Sequence, residues 1–150
     1  MIKDVQLLPL KINVVDREYL IVFASSGRTD VPNIPKIAEV YLVGTDSKGV
    51  IRAFHKHEKL WHYIFISHGS AKFVLVDDRK DSPTYKEINT FVLTGSKPNL
   101  LVVPPEIFHG WMSLEDDTQL VSTANEVYKS DSPDKIIIPQ DSFGDVWNIN

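Results

Sequence analysis

The stretch Gly49-Val50-Ile51-Arg52-Ala53-Phe54-His55-Lys56-His57-Glu58-Lys59-Leu60-Trp61-His62, closed by Gly69, decides how this chain is read. It holds three of the five histidines, and a fourth, His109, stands in Pro104-Pro105-Glu106-Ile107-Phe108-His109-Gly110-Trp111. Alternate side chains of a strand share a face, so His55 and His57 are expected to point the same way. A hairpin neighbour is expected to bring His62 alongside, and a later strand to add His109. An eight-stranded barrel has an interior just wide enough for such a cluster and one small ligand.

Outward from this stretch the chain consists of short runs rich in Val, Ile, Phe and Tyr, punctuated by Gly, Pro, Asp, Asn and Ser. Strands are expected at residues 5–10, 19–24, 39–43, 61–66, 72–76, 87–93, 100–103 and 118–124. Many short strands at this spacing predict a sandwich or barrel. Residues 31–38 alone suggest a short helical turn, limited by two prolines. The tail, residues 131–150, has little strand character and is expected to pack across the barrel as an extended segment. No linker or repeat divides residues 1–150, so one all-β domain is expected.

Composition excludes several classes. The net charge of −4 comes from interspersed acidic and basic residues, which gives no nucleic-acid or membrane footprint. The longest apolar runs, residues 19–23 and 100–103, are far shorter than the roughly 20 residues of a membrane-spanning helix. There are no cysteines, hence no disulfides and no thiolate metal ligands. The opening residues lack a signal-peptide pattern, so a cytoplasmic location is expected.

Gly49, His55, His57 and Gly69 resemble the first cupin motif, with His62 where a glutamate is usual. Pro104, Glu106 and His109 resemble the second, with Glu106 in place of a glycine. The resemblance implies a single cupin domain, an all-β jelly roll.

Within the cupins, three segments resemble the dTDP-4-dehydrorhamnose 3,5-epimerase family, which acts on nucleotide-linked 4-keto-6-deoxy sugars. Gly49-Val50-Ile51-Arg52-Ala53-Phe54-His55 is similar to its Gly-Val-Leu-Arg-Gly-Leu-His. The run from Val76 to Tyr85, containing Asp81-Ser82-Pro83-Thr84, is similar to its Asp-x-Arg-x-x-Ser-Pro-Thr segment. The run from Val103 to Trp111 is similar to its Ile-Pro-x-Gly-Phe-Ala-His-Gly-Phe. The resemblance implies a catalytic base at His55, a substrate-binding arginine at Arg52 and a pocket histidine at His109. Tyr128 matches a second tyrosine of the family's site and stands as a substitute acid, and Arg17 falls near a nucleotide-contacting arginine. His62 takes the place of the family's pocket lysine, the family's catalytic tyrosine falls near Val121 and Ser122, and its tail aspartate has no counterpart.

Residues 52–60 also resemble the nucleotide-sugar 3,4-ketoisomerases, in which both histidines, here His55 and His57, belong to the site, and a tyrosine 14 residues upstream matches Tyr41. Both resemblances imply the same first step, removal of a proton next to a ketone to give an enolate, with no cofactor and no metal. The expected partner is a nucleotide-diphosphate sugar, with Arg52, Arg79, Lys59, Lys72 and Arg17 as cations for its diphosphate. Two other readings stay open. His55, His57, His62 and His109 occupy ligand positions of a metal-dependent cupin, and the departures suit a non-catalytic sugar-nucleotide-binding cupin. A homodimer is expected, because a barrel of this kind exposes a strand edge unless it is covered.

Overall fold

The architecture comes from a computed structural model, which describes residues 1–25, 27–31, 36–131 and 134–149, with the main chain alone at Val15. Twelve strands follow in order: β1 Gln6–Pro9, β2 Ile12–Val15, β3 Glu18–Ile21, β4 Glu39–Gly44, β5 Ile51–Lys56, β6 His62–His68, β7 Ser70–Asp77, β8 Ile88–Thr94, β9 Asn99–Val103, β10 Ile107–Ser113, β11 Gln119–Ala124 and β12 Ile136–Ile137. They form two five-stranded sheets, β1-β9-β6-β11-β4 and β12-β5-β10-β7-β8, and a separate β2–β3 hairpin. The chain is an all-β jelly-roll sandwich, with no helix among the described residues. The helical turn expected within residues 31–38 falls largely on 32–35, outside the described residues.

Side-chain alternation explains the layers. On β7, Ala71, Phe73 and Leu75 enter the core between the sheets, where they meet Ile64, Ile66, Leu101, Val103, Ile107 and Trp111. Val74 and Val76 point the other way, yet are also buried, against Phe54, Phe108 and the tail residues Phe143, Val146 and Trp147. A strand covered on both faces reads as a continuous apolar run, and that is how residues 73–76 of β7 read. The outer face of the first sheet is covered in the same manner: Tyr63, Leu100 and Val102 pack with Leu10, Val31 and Phe23.

Three corrections follow. The strands expected to carry His55 and His109 are β5 and β10, although His57 lies just past the end of β5, and an unexpected hairpin arm, β2, precedes β3. The tail packs across the barrel as expected but also contributes β12, whose Ile136 and Ile137 pair with Lys56 and His55. The hairpin expected between His57 and His62 does not form. β5 and β6 belong to opposite sheets, so the chain crosses the sandwich between them and His62 faces the other histidines from across the core.

One knot of polar groups anchors the β7–β8 connection. The Asp77 carboxylate is fully buried and accepts hydrogen bonds from Arg79 Nε at 2.9 Å, Ser82 Oγ at 2.7 Å and Thr84 Oγ1 at 2.6 Å. Arg79 also reaches Asp4 and the Lys3 carbonyl. Burial alone would raise the Asp77 carboxyl, but these hydrogen bonds outweigh it and hold its pKa well below the usual carboxylate range. The Asp-Ser-Pro-Thr run is therefore architectural. Arg79, expected as a cation for the diphosphate, is engaged at Asp77. Lys72 likewise lies outside the histidine cavity and bonds the Asn148 carbonyl.

Candidate active site

β5 does not run regularly beside β10. His109 pairs with His55 and Trp111 with Arg52, so three steps on β5 face two on β10. Such a bulge rotates the strand by one residue. In a regular strand Arg52 and His55 would point to opposite faces, whereas here both line the same cavity. Gly110 makes this possible, since a Cβ there would lie 2.2 Å from Ala53 Cβ.

The cavity, about 240 Å³, opens between the sheets. It is smaller than the roughly 300–1,000 Å³ typical for drug-sized ligands. A hexose ring suits it, and a larger molecule has to extend over the rim. The four histidines meet inside. Ring centroids are 4.2 Å apart for His55 and His109, 4.8 Å for His57 and His62, and 5.2 Å for His62 and His109. Among the described residues no group of three or more His, Cys, Asp or Glu side chains is arranged to hold a metal ion.

Backbone partners fix two of the rings. His109 Nδ1 lies 3.0 Å from the Ile107 carbonyl, and His57 Nδ1 contacts the Asp134 carbonyl. A carbonyl only accepts, so each Nδ1 carries the proton and each neutral ring keeps a lone pair on Nε2. His62 Nδ1 lies 3.3 Å from the Tyr41 hydroxyl, while its Nε2 is buried with no hydrogen-bond partner among the described residues. Burial lowers all four pKa values, with Lys135 adding to it in each and neighbouring imidazoles adding to it in His55, His62 and His109, while the carbonyl hydrogen bonds of His57 and His109 oppose it; that of His109 is pushed down to about 4. Four imidazoles uncharged at neutral pH can accept protons and hydrogen bonds.

The remaining expected site residues divide. Arg52 and Tyr41 line the cavity, and Tyr128 lies at its mouth, more than half exposed, its backbone N–H donating to Glu39 Oε2 at 2.9 Å. Ser122, one of the two residues near which the absent tyrosine falls, is paired directly with Tyr41, so a phenol stands one strand over. Lys59 lines a neighbouring rim depression with Glu58, Leu60 and Asp134 rather than the cavity itself. Arg17 sits on the exposed β2–β3 turn and is not among the cavity residues of this chain. Glu39, Glu126 and Lys135 line the cavity and were not foreseen. Lys135 carried a signal: the triple isoleucine that follows it is a strand-forming run.

Comparison with known proteins agrees with this picture. The chain is 37% identical over 103 residues to a spore coat polysaccharide biosynthesis protein of Bacillus subtilis, covering 67% of this chain and 68% of that protein. It is 29% identical over 144 residues to a probable low-salt glycan biosynthesis epimerase of Haloferax volcanii, covering 93% and 89%. In fold it is similar to a dTDP sugar isomerase of Desulfovibrio desulfuricans, with a TM-score of 0.81 at 21% identity, over 94% of this chain and 87% of that one. Fold, cavity and relatives together define an enzyme of the sugar-nucleotide epimerase and isomerase class. The chain belongs to the dTDP-4-dehydrorhamnose 3,5-epimerase family, whose sequence model matches residues 25–149.

Proposed function

We propose that the chain acts on a nucleotide-diphosphate-linked 4-keto-6-deoxyhexose, in the manner of a dTDP-4-dehydrorhamnose 3,5-epimerase. The observation that carries the proposal is the bulge that sets Arg52 and His55 side by side against His109. His55 takes the proton from the carbon next to the ketone. The C–H electrons pass to the carbonyl oxygen as an enolate, and reprotonation from the opposite face inverts that carbon. Arg52, His57, His62, His109 and Tyr41 hold the sugar, and Tyr128 at the mouth supplies the returning proton. Lys59, at the rim, meets the diphosphate. No metal or cofactor is needed for these steps.

A second reading rests on Tyr41, His55 and His57 lining the same cavity. They are the set implied by the 3,4-ketoisomerase resemblance, and proton transfer from C3 to C4 would then move the ketone. Incubation with dTDP-4-keto-6-deoxyglucose in D2O distinguishes the two. Deuterium at C3 and C5 with inverted stereochemistry supports epimerisation, a 3-keto product supports ketone migration, and recovery of unchanged substrate with no deuterium defeats both.

The product is a precursor for polysaccharide assembly, such as the dTDP-rhamnose route, made in the cytoplasm; no helix among the described residues is long and apolar enough to cross a membrane. The working unit is a homodimer. Val40 and Leu42 on the edge strand β4, with Val14, Tyr19 and Leu20 on the β2–β3 hairpin, leave an apolar surface that a second copy would cover.

A further inference from the structure

Two cations border the cavity, Arg52 and Lys135. Lys135 arrives there through the tail. β12 aligns Ile137 with His55 and Ile136 with Lys56, so the residue preceding the strand is delivered beside His57. The position before it is anchored twice: the Asp134 carbonyl accepts from His57 Nδ1, and its carboxylate accepts the backbone N–H groups of Glu58 at 2.7 Å and Lys59 at 2.9 Å. Unlike Arg79 and Lys56, which are engaged by Asp77 and Asp78, Lys135 forms no ion pair among the described residues. Its charge acts on all four imidazoles, and after burial it contributes to keeping each of them unprotonated.

We infer that Lys135 is a catalytic residue whose ammonium faces the oxygen that becomes negative when the C–H bond next to the ketone breaks. The inference rests on the keto-sugar reading above. The reason is electrostatic: a set of neutral imidazoles can take a proton, but the enolate left behind needs positive charge. Lys135 is exposed where it borders the cavity, and a cation brought against the sugar from that edge meets the need. Arg52 lies on β5 and Lys135 just before the neighbouring β12, so the two cations line the cavity of the histidines from adjacent parts of one sheet. The rival role is a diphosphate clamp, because Lys135 also lines a shallower depression with Arg52 and His55.

Lys135→Met and Lys135→Arg, compared with the wild-type chain, separate these roles. Three quantities are measured: deuterium exchange of dTDP-4-keto-6-deoxyglucose in D2O, calorimetric affinity for dTDP, and melting temperature. Exchange should fall about 10²-fold in the methionine variant, as for loss of one oxyanion partner, with dTDP affinity unchanged and arginine restoring most of the rate. Wild-type exchange in the methionine variant overturns the inference. So does a loss of dTDP affinity parallel to the loss of rate, which assigns the ammonium to the diphosphate. An arginine variant that melts like wild type but does not recover exchange also overturns it. A wild-type chain that exchanges no proton removes the keto-sugar reading and this assignment with it.

Discussion

His55 and His109 face each other directly across β5 and β10, their ring centroids 4.2 Å apart. The two imidazoles come from the two motif segments of the sequence and belong to one cross-strand pair. His109 is held by the Ile107 carbonyl, whereas His55 is left with its ring turned to the cavity. His55→Ala should therefore remove deuterium exchange by more than about 10²-fold, with dTDP affinity retained. Wild-type exchange in this variant would transfer the base to His57 or His109.

The cavity also makes the protein sensitive to acid. His62 and His109 are buried, and His109 has its pKa pushed down to about 4, against about 6.5 in an unfolded chain. A folded pKa below the unfolded one means that the unfolded chain binds more protons between the two values. The stabilisation is complete above pH 6.5 and is lost as pH falls toward 4. Each such imidazole steepens the fall by about 1.4 kcal/mol per pH unit. Urea midpoints at pH 7.5, 6 and 5 should decline, and more gently in His109→Gln. Equal midpoints would contradict the neutral cluster.

Asp77 and Arg79 offer a test of stability separate from the site. Asp77→Asn leaves the Arg79 guanidinium without its buried partner and should cost about 3 kcal/mol, read as a lower denaturation midpoint at neutral pH. The folded fraction should still exchange deuterium at the wild-type rate, because neither residue lines the histidine cavity. A variant that melts normally but loses exchange would return the Asp-Ser-Pro-Thr run to the active site.

How much of this was legible in the sequence depended on what carried the signal. The four histidines and Arg52 were found because motif spacing is a local property, and alternation on a strand places side chains without further information. The crossing of the chain between His57 and His62 was not legible, since a short polar link reads alike whether it turns within a sheet or passes between two. Lys135 was missed for a different reason: its place is set by pairing between β12 and β5, about eighty residues apart in the chain. The engagement of Arg79 by the buried Asp77 was not legible, because a guanidinium near a motif carries no label for which anion it meets.

Gly110 provides a geometric test of the bulge. Gly110→Ala places a Cβ 2.2 Å from Ala53 Cβ and 2.8 Å from Ala53 Cα, and overpacking of this kind costs about 1–3 kcal/mol. Relief requires β5 to move away from β10, so Arg52 and His55 lose their common face. Exchange should drop further than the loss of folded protein explains. A variant with normal exchange would show that the bulge does not set the site.

Assembly is read from β4 and the β2–β3 hairpin. Leu42→Lys puts a charge on the edge strand, where the native side chain is 60% exposed. If a second copy covers this face, sedimentation should shift from dimer toward monomer with the melting temperature of the isolated subunit preserved. A wild-type chain that sediments as a monomer at micromolar concentration would refute the dimer.

The tail has a consequence for the order of events during synthesis. Domains form from their N-terminal side as the chain is made, at about 5–20 residues per second, and the paired strands through β11 precede the tail that covers the outer face of the second sheet. Until the tail emerges, Val74, Val76 and Phe108 have no Phe143, Val146 or Trp147 to meet, and the cavity has no Lys135. A chain truncated after β11 would carry a greasy flank and an unfinished wall, so completion of the cavity waits on the tail.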